Sequence, residues 1–371
     1  MMRVFLVDDE PPARQRMRQL LAEVGDVLVV GEAGDAIEAR TAIAETHPDV
    51  VFLDMEMPQL SGAALARSLP EPRPFVVFAT AFDRYALDAF AVDATDFLVK
   101  PITRARLSGT LARVRKRLSR RSDLERDLVA ASAAQKLLLP RMMPAIEGYD
   151  CAAVTRPARG VGGDFFVGQQ LPADRFVLAL GDVAGKGMPA GLVASSLQAR
   201  IETVAKHAGG SASEVVADVN RALCATSDGA RFATLAYVEI DRSINQLVIV
   251  NAGHVPLLLM TPGRAPQYIA SSAPALGLLP EALFPEQRVT MEDGATLIIY
   301  SDGVTESLDV AGDEYGDGRV LDELTGRDTE AAADICRAVI DGVGRYAGGD
   351  MAADDITVLV LKRLPRRSAT R

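Results

Sequence analysis

The chain has little of what several common kinds of site require. It holds three cysteines, Cys151, Cys224 and Cys336, which lie far apart with no CxxC spacing. An odd, scattered set argues against a disulfide framework, and they read as buried thiols. His47, His207 and His254 are the only histidines, so a histidine-centred metal site is not expected and His254, in NAGH, reads as structural. No run approaches the roughly 18 apolar residues of a membrane span, and the short apolar start MMRVFLV meets two aspartates at once, unlike a secretory signal. A cytoplasmic location without membrane contact is the expectation. Basic excess is missing too: the net charge of −10 disfavours broad nucleic-acid contact, and no helix-turn-helix or basic recognition segment follows residue 140, so no DNA partner is expected. There is no internal repeat.

What is present is ordinary globular material, 49% hydrophobic and 24% charged, in a length of 371 residues that is too great for one usual core and suits two domains. From residue 3 to about 101, short apolar runs alternate with helix-length stretches: RVFLV, a polar helix to Val24, VLVVGEA, 36–46, DVVFL, 62–68, PFVVFAT, 84–91 and DFLV. Five such units predict an α/β fold, a doubly wound parallel sheet whose ligands sit at the carboxyl ends of its strands. Asp8 and Asp9 follow the first run, Asp54 the third, Thr80 the fourth and Lys100 the fifth. One aspartate at a strand end is a common turn residue. Five polar residues at four of the five strand ends suit phosphoryl transfer to a carboxylate: Mg²⁺ neutralises clustered carboxylates, Lys100 stabilises phosphoryl oxygens, and Asp54 attacks phosphorus.

Residues 1–120 resemble the receiver domain of two-component response regulators, through VDDE, DVVFLDMEMPQLSG, FATAF and DFLVKP. The resemblance implies a flavodoxin-like five-stranded sheet with Asp54 as phosphoacceptor and an upstream histidine kinase as partner. Asp9, Asp54 and the Glu56 carbonyl would hold Mg²⁺, with Asp8 helping through water. Thr80 would contact the phosphoryl group and Phe97 would be the rotating switch aromatic.

Between Thr103 and Arg121 the chain becomes strongly basic, and apolar residues recur three or four apart to Leu138. A solvated helix face accounts for the charges; a longer helix that pairs two protomers into a homodimer is the sharper reading, with its apolar seam interrupted at Arg121 and Glu125. Beyond Tyr149 the pattern turns to α+β. RFVLALGDV, RFATLAYVEID, QLVIVNAG, PLLLM, ATLIIYSDG and DITVLVLK are strand candidates, and helices are expected over 189–208, 212–225 and 329–346.

GVGGDFF, LGDVAGKGMPAG, IYSDG and ADDIT each set an aspartate beside glycine or at a strand edge. Taken singly each is a turn more often than a ligand. Together Asp164, Asp182, Asp302 and Asp354 can enclose two hard cations that acidify a water and clamp a phosphate, the chemistry of phosphomonoester hydrolysis. A glycine-rich cradle for nucleotide phosphates is the alternative, but GKGMPAG lacks the P-loop spacing. Ser301 has no GxSxG elbow around it, which excludes a hydrolase triad.

Residues from about 130 to 362 resemble the PPM-type, metal-dependent serine/threonine phosphatases, in their SpoIIE-like branch, with AAQKLLLPRMMP, FATL, NAGHVPLLL, LGLL and EYGDGRV in family order. That resemblance implies an α-β-β-α sandwich with Asp182 bridging two Mn²⁺ or Mg²⁺ ions. Asp164 and the Val183 carbonyl would serve the second ion, Asp302 and Asp354 the first, with Asp354 favoured over Asp355 on the family's pattern. Val167 departs from it, standing where the branch usually has an acid. The implied architecture is a receiver at 1–120, a helical linker at 121–145 continuing the last receiver helix, a phosphatase at 146–363 and a disordered basic tail at 364–371. The implied function is a response regulator whose Asp54 phosphorylation controls hydrolysis of phosphoserine or phosphothreonine on a protein, an anti-sigma-factor antagonist. A non-catalytic adaptor that only binds a partner is the alternative.

Overall fold

A computed structural model describes residues 1–58, 60–70, 72–81, 94–140, 142–158, 160–172, 174–207, 210–226, 231–349 and 354–365. The chain separates into two compact units, Met1–Arg126 and Asp127–Arg371.

The first unit is built from β1 (Met2–Val7), α1 (Pro11–Val24), β2 (Val27–Ala33), α2 (Ala36–Thr46), β3 (Val50–Leu53), α3 (Gly62–Ser68), β4 (Phe75–Thr80) and β5 (Asp96–Val99). The helix expected over 84–91 lies outside the described residues. Its strands form one parallel sheet in the order β2-β1-β3-β4-β5. Alternation along β1 explains the two covered faces: Phe5 and Val7 join Ala39, Ile43 and Leu65 on one side, and Val4 and Leu6 join Met17, Leu20 and Leu21 on the other. Local chemistry starts the helices. Proline opens α1, Asp35 accepts from the N–H groups of Ile37 and Glu38 before α2, and Ser61 accepts from that of Ala64 before α3.

Helix α4 (Arg104–Leu138) runs 35 residues without a break, and the boundary between the units falls within it. Leu107, Leu111 and Val114 are fully buried in the first unit's core. Where the apolar seam lapses, Arg121 pairs with Glu125 one turn on at 3.2 Å.

The second unit is an α-β-β-α sandwich. Its elements are β6 (Tyr149–Arg156), β7 (Asp164–Gln170), β8 (Arg175–Val183), α5 (Met188–His207), α6 (Ala212–Thr226), β9 (Ala233–Asp241), β10 (Gln246–Ala252) and β11 (Leu257–Met260). They continue through β12 (Gln267–Ile269), β13 (Gln287–Thr290), β14 (Thr296–Tyr300), α7 (Asp302–Thr305), α8 (Gly316–Leu324), α9 (Ala332–Tyr346) and β15 (Ile356–Arg363). One antiparallel sheet has the order β13-β10-β9-β8-β7 and the other β12-β11-β14-β15-β6. Every central strand is apolar on both faces. Phe176, Leu178 and Leu180 meet Leu297, Ile299, Leu359 and Leu361 between the sheets, whereas Val177 and Ala179 face Ala194, Leu197, Ile201 and Val216 of α5 and α6. On the far side Ile298, Tyr300, Val358 and Val360 pack on Val320, Ile335 and Val339 of α8 and α9.

The helices expected over 189–208 and 212–225 are α5 and α6 within a residue, and the helix expected from 329 starts at Ala332, whose N–H is taken by Asp150 Oδ2 at 2.7 Å. Most of the tail expected at 364–371 lies outside the described residues.

Candidate functional site

In the first unit the parallel sheet brings the strand ends together. Asp54 follows β3 with its N–H bonded to the Val7 carbonyl at 2.9 Å, and the Lys100 N–H reaches the Thr80 carbonyl at 2.8 Å. Lys100 Nζ then donates to Asp54 Oδ2 at 2.6 Å and Asp8 Oδ2 at 2.7 Å. Oxygens of Asp8, Asp9 and Asp54 all lie within 4.8 Å of one another. Burial pushes the Asp8 carboxyl up despite its bond to Lys100. The same burial opposes the charge of Lys100, but its two carboxylate bonds outweigh that and raise it. Three carboxylates against one ammonium leave an excess of negative charge that suits a divalent cation.

Backbone and side-chain groups around this cluster are also poised. The Glu56 N–H donates to Asp54 Oδ1 at 3.3 Å, which sets the Glu56 peptide beside the cluster. Thr80 is 1% exposed and its Oγ1 has no hydrogen-bond partner. Phe97, half-buried on β5, packs at the edge of the core that contains Val51 and Phe78.

The second unit gathers its acids by strand pairing. Asp164 and Asp182 are register partners across β7 and β8. Asp302 opens α7 just after β14, and Asp354 lies two residues before Ile356, the first residue of β15, the neighbour of β14. Asp182 is raised to about 7, by burial first and then by the charges of Asp302, Asp354 and Asp355. Burial and then Asp182 drive Asp164 well above the usual carboxylate range, and Asp302 is raised by burial and by Asp354. Asp164 Oδ2 is buried without a hydrogen-bond partner. That donor set fits hard cations. It is looser than the first cluster: among the described residues, only Asp8, Asp9 and Asp54 offer three carboxylate oxygens within 4.8 Å of each other.

The glycines of GVGGD are there for space. A Cβ on Gly163 would stand 2.7 Å from the Val183 carbonyl oxygen and 3.1 Å from Asp182 Oδ1, and one on Gly162 would stand 2.3 Å from Asp355 Oδ2. The Val183 carbonyl therefore faces the loop that carries Asp164.

Two neighbouring aspartates divide the work. The Asp355 carboxylate is buried and accepts from the N–H groups of Ala158 at 2.8 Å, Gly163 at 2.7 Å and Asp164 at 3.4 Å. Its lone pairs are committed to the loop. Asp354 is more exposed and pairs with Lys186 Nζ at 2.8 Å. Lys186 was visible in the sequence only as a failed P-loop lysine; its pairing depends on tertiary contact. Val167 is fully buried among the apolar residues between β7 and the helices, on the opposite strand face from Asp164, so the missing acid lies away from the cluster. Ser301 Oγ donates to the Asp355 carbonyl and accepts from the Thr357 N–H, a structural role. His254 is buried, with Nδ1 on Thr234 Oγ1 at 3.0 Å and Nε2 unpartnered, and burial pulls it down to about 4.

Among the described residues no helix is long and apolar enough to cross a membrane. The family described as response regulator receiver domain matches residues 4–112. Over 121 residues the chain is 49% identical to the transcriptional regulatory protein BtsR of Escherichia coli K12, a match covering 32% of this chain and 51% of BtsR. The chain thus spans about half the length of the curated relatives it matches. Among solved structures, the SiaA-PP2C domain of Pseudomonas aeruginosa matches with a TM-score of 0.58 at 22% identity, over 65% of this chain and 98% of that one. The RsbU and RsbW domains of Rv1364c from Mycobacterium tuberculosis match with a TM-score of 0.54 at 26% identity, over 62% of this chain and 64% of that one. The sandwich is thus a PP2C-type fold joined to a receiver domain. Since the family described as Stage II sporulation protein E (SpoIIE) matches residues 172–364, a little over half of the 371 residues, the chain belongs to the SpoIIE family.

Proposed function

We propose that this chain is a response regulator in which phosphorylation of Asp54 controls a metal-dependent protein phosphatase centred on Asp182. The observation that carries the reading is the unpaired, buried Oδ2 of Asp164 opposite Asp182 in an acidic cluster. Such a group is costly unless a cation meets it. Asp182 would bridge two Mn²⁺ or Mg²⁺ ions, Asp164 and the Val183 carbonyl would hold one, and Asp302 and Asp354 the other. The spread of these acids, wider than in the first cluster, suits two ions better than one. When bound, the cations supply the positive charge that acidifies water and offsets the charge of the phosphate. The chain's own part is to orient them: Asp355 fixes the loop before Asp164, and Lys186 holds Asp354.

In the receiver, Asp54 would take the phosphoryl group from a histidine kinase, beside Mg²⁺ held by Asp9, Asp54 and the Glu56 carbonyl, with Asp8 assisting. Lys100 and Thr80 would contact the phosphoryl oxygens, and Phe97 would report the change. The likeness to a chain with RsbU and RsbW domains supports a phosphorylated anti-sigma-factor antagonist as substrate, acting in the cytoplasm. This reading keeps 1–120 as receiver, 121–145 as linker and 146–363 as phosphatase. Exposed Leu124, Val129 and Leu137 on α4 support a homodimer through that helix.

The test is Mn²⁺-dependent release of phosphate from a phosphoserine protein by wild type and Asp182→Asn, with and without a small-molecule phosphodonor for Asp54. Hydrolysis that survives Asp182→Asn sinks the catalytic assignment. Equal rates with and without the donor sink the control by Asp54. Metal binding without any hydrolysis returns the adaptor reading.

A further inference from the structure

Helices α5 and α6 leave a groove of about 560 Å³ between them. Val193, Leu197, Ala222 and Leu223 make it apolar, and the exposed Arg200 and Arg231 stand at its rim. Both cations are held in place: Arg200 donates to Asp218 Oδ1 at 2.9 and 2.6 Å, and Arg231 to the Pro189 carbonyl at 3.1 Å. Among the described residues no acid lines the groove itself, although the chain carries a net charge of −10.

Large apolar side chains lie in water along its edge. Leu192 of α5 is 66% exposed, and on the loop that follows Gly277 the exposure of Leu278 is 50% and that of Leu279 is 57%. That loop is fastened. Asn220 of α6, fully buried, accepts from the Gly277 N–H at 2.9 Å and donates to the Leu279 and Pro280 carbonyls at 2.9 and 3.3 Å. Gly277, at φ +87°, sits where a Cβ would stand 2.8 Å from the Arg231 carbonyl oxygen and 2.9 Å from Leu223 Cδ2 in the groove wall. A buried amide that fixes two exposed leucines points to a surface that is used. The groove also adjoins the acid cluster: the Phe232 carbonyl accepts from the Ala184 N–H at 2.9 Å, and the next residues, Ala233 and Thr234, are the register partners of Val183 and Asp182.

We propose that this groove docks the phosphoprotein substrate, through an amphipathic helix whose apolar face meets Leu192, Leu278 and Leu279 and whose acidic flank meets Arg200 and Arg231. The proposal rests on the phosphatase reading above and adds how its substrate is chosen. Metal ions grip any phosphomonoester alike, so selection among phosphoproteins has to come from contacts beyond the phosphate. A furrow between two helices accepts a third, which anchors side chains three and four residues apart. Charge favours an acidic partner, since the groove is basic where the chain as a whole is acidic. A second copy docked groove to groove would instead set the two arginines against their own equivalents.

The test uses the full chain with Mn²⁺ and compares a folded anti-sigma-factor antagonist carrying phosphoserine with p-nitrophenyl phosphate, which is too small to span the groove. Leu192→Ser and Leu279→Ser each remove one exposed apolar side chain, and Ile244→Ser, in the turn beyond the far end of β9, is the control. The kcat/KM for the protein relative to that for the ester is expected to fall about tenfold or more in each leucine variant, mainly through KM, and to hold in the control. Binding of the same phosphoprotein to the Asp182→Asn chain, followed by fluorescence anisotropy, should weaken by a similar factor when Leu279→Ser is added. The leucines lie on different elements, so misfolding of one variant leaves the other to decide. Ratios like that of wild type in the leucine variants overturn the proposal, as does an equal loss in Ile244→Ser. A chain mass in solution that falls in the leucine variants while their kinetics hold makes the groove a contact between copies, and overturns it too. Wild type that cleaves the ester but not the protein overturns the docking and spares the metal centre; wild type that cleaves neither overturns the phosphatase reading itself.

Discussion

Asp164 and Asp182 oppose each other across β7 and β8, and burial together with the neighbouring acids raises both carboxyls. In the metal-free chain the two carboxylates repel and resist ionisation. Asp164→Asn keeps the shape and removes one charge. The metal-free variant should be more stable than wild type by roughly 1 kcal/mol or more, while the stabilisation conferred by Mn²⁺ should disappear. Thermal unfolding with and without Mn²⁺ reads both effects. A variant that Mn²⁺ stabilises as much as wild type excludes Asp164 from the ligand set.

The division between Asp354 and Asp355 predicts opposite phenotypes for adjacent residues. Asp355→Ala strands the buried N–H groups of Ala158 and Gly163, at about 1–3 kcal/mol each, so the chain should lose several kcal/mol of stability in urea unfolding. Asp354→Ala removes a carboxylate that is 44% exposed and paired with a lysine that is 50% exposed. Its stability cost should stay below about 1 kcal/mol, and its Mn²⁺ affinity should collapse. Reversed results would make Asp355 the ligand.

The pattern of what the sequence revealed has a physical origin. The strands legible as apolar runs, β8, β9, β10, β11, β14 and β15, are the interior strands of the two sheets, where both faces are buried and the run is continuous. The four that gave no clear signal, β6, β7, β12 and β13, are the four sheet edges. An edge strand needs less apolar surface: β12 has three residues and β13 alternates half-buried with exposed. The aspartates were legible because glycines and strand ends mark them in the sequence. The commitments of Asp355 and Asn220 were not, because each bonds backbone groups far along the chain, and nothing in ADDIT or DVNRAL specifies the partner.

Lys100 balances two acids at once, and a double-mutant cycle measures that balance. Lys100→Met leaves Asp8 and Asp54 facing each other uncompensated and should destabilise the metal-free chain by about 1–2 kcal/mol near neutral pH. Lys100 keeps some solvent contact, which holds the figure below that of a fully buried pair. Adding Asp54→Asn removes one of the stranded charges and should recover much of the loss. The coupling between the two changes should therefore be about 1 kcal/mol. Additive effects in urea unfolding would mean that the short Lys100–Asp54 contact contributes nothing net.

His254 gives the second unit a pH dependence with a definite sign. Burial holds it near 4 in the folded chain against 6.5 when free, so the unfolded chain takes up a proton that the fold refuses. The folded state keeps its full advantage above pH 6.5 and loses it as pH falls toward 4, by at most about 1.4 kcal/mol per unit and roughly 3 kcal/mol in all. The raised carboxyls of Asp164 and Asp182 act in the acid range with the opposite sign, because protonation relieves them in the fold first. A raw stability profile of the metal-free chain therefore flattens as the two trends oppose. The difference between wild type and His254→Gln isolates the histidine, since glutamine can still meet Thr234 but does not titrate. That difference should shift by about 1 kcal/mol in favour of the variant between pH 7.5 and 5.5. A difference constant over that range would mean that His254 is already free to take its proton in the fold.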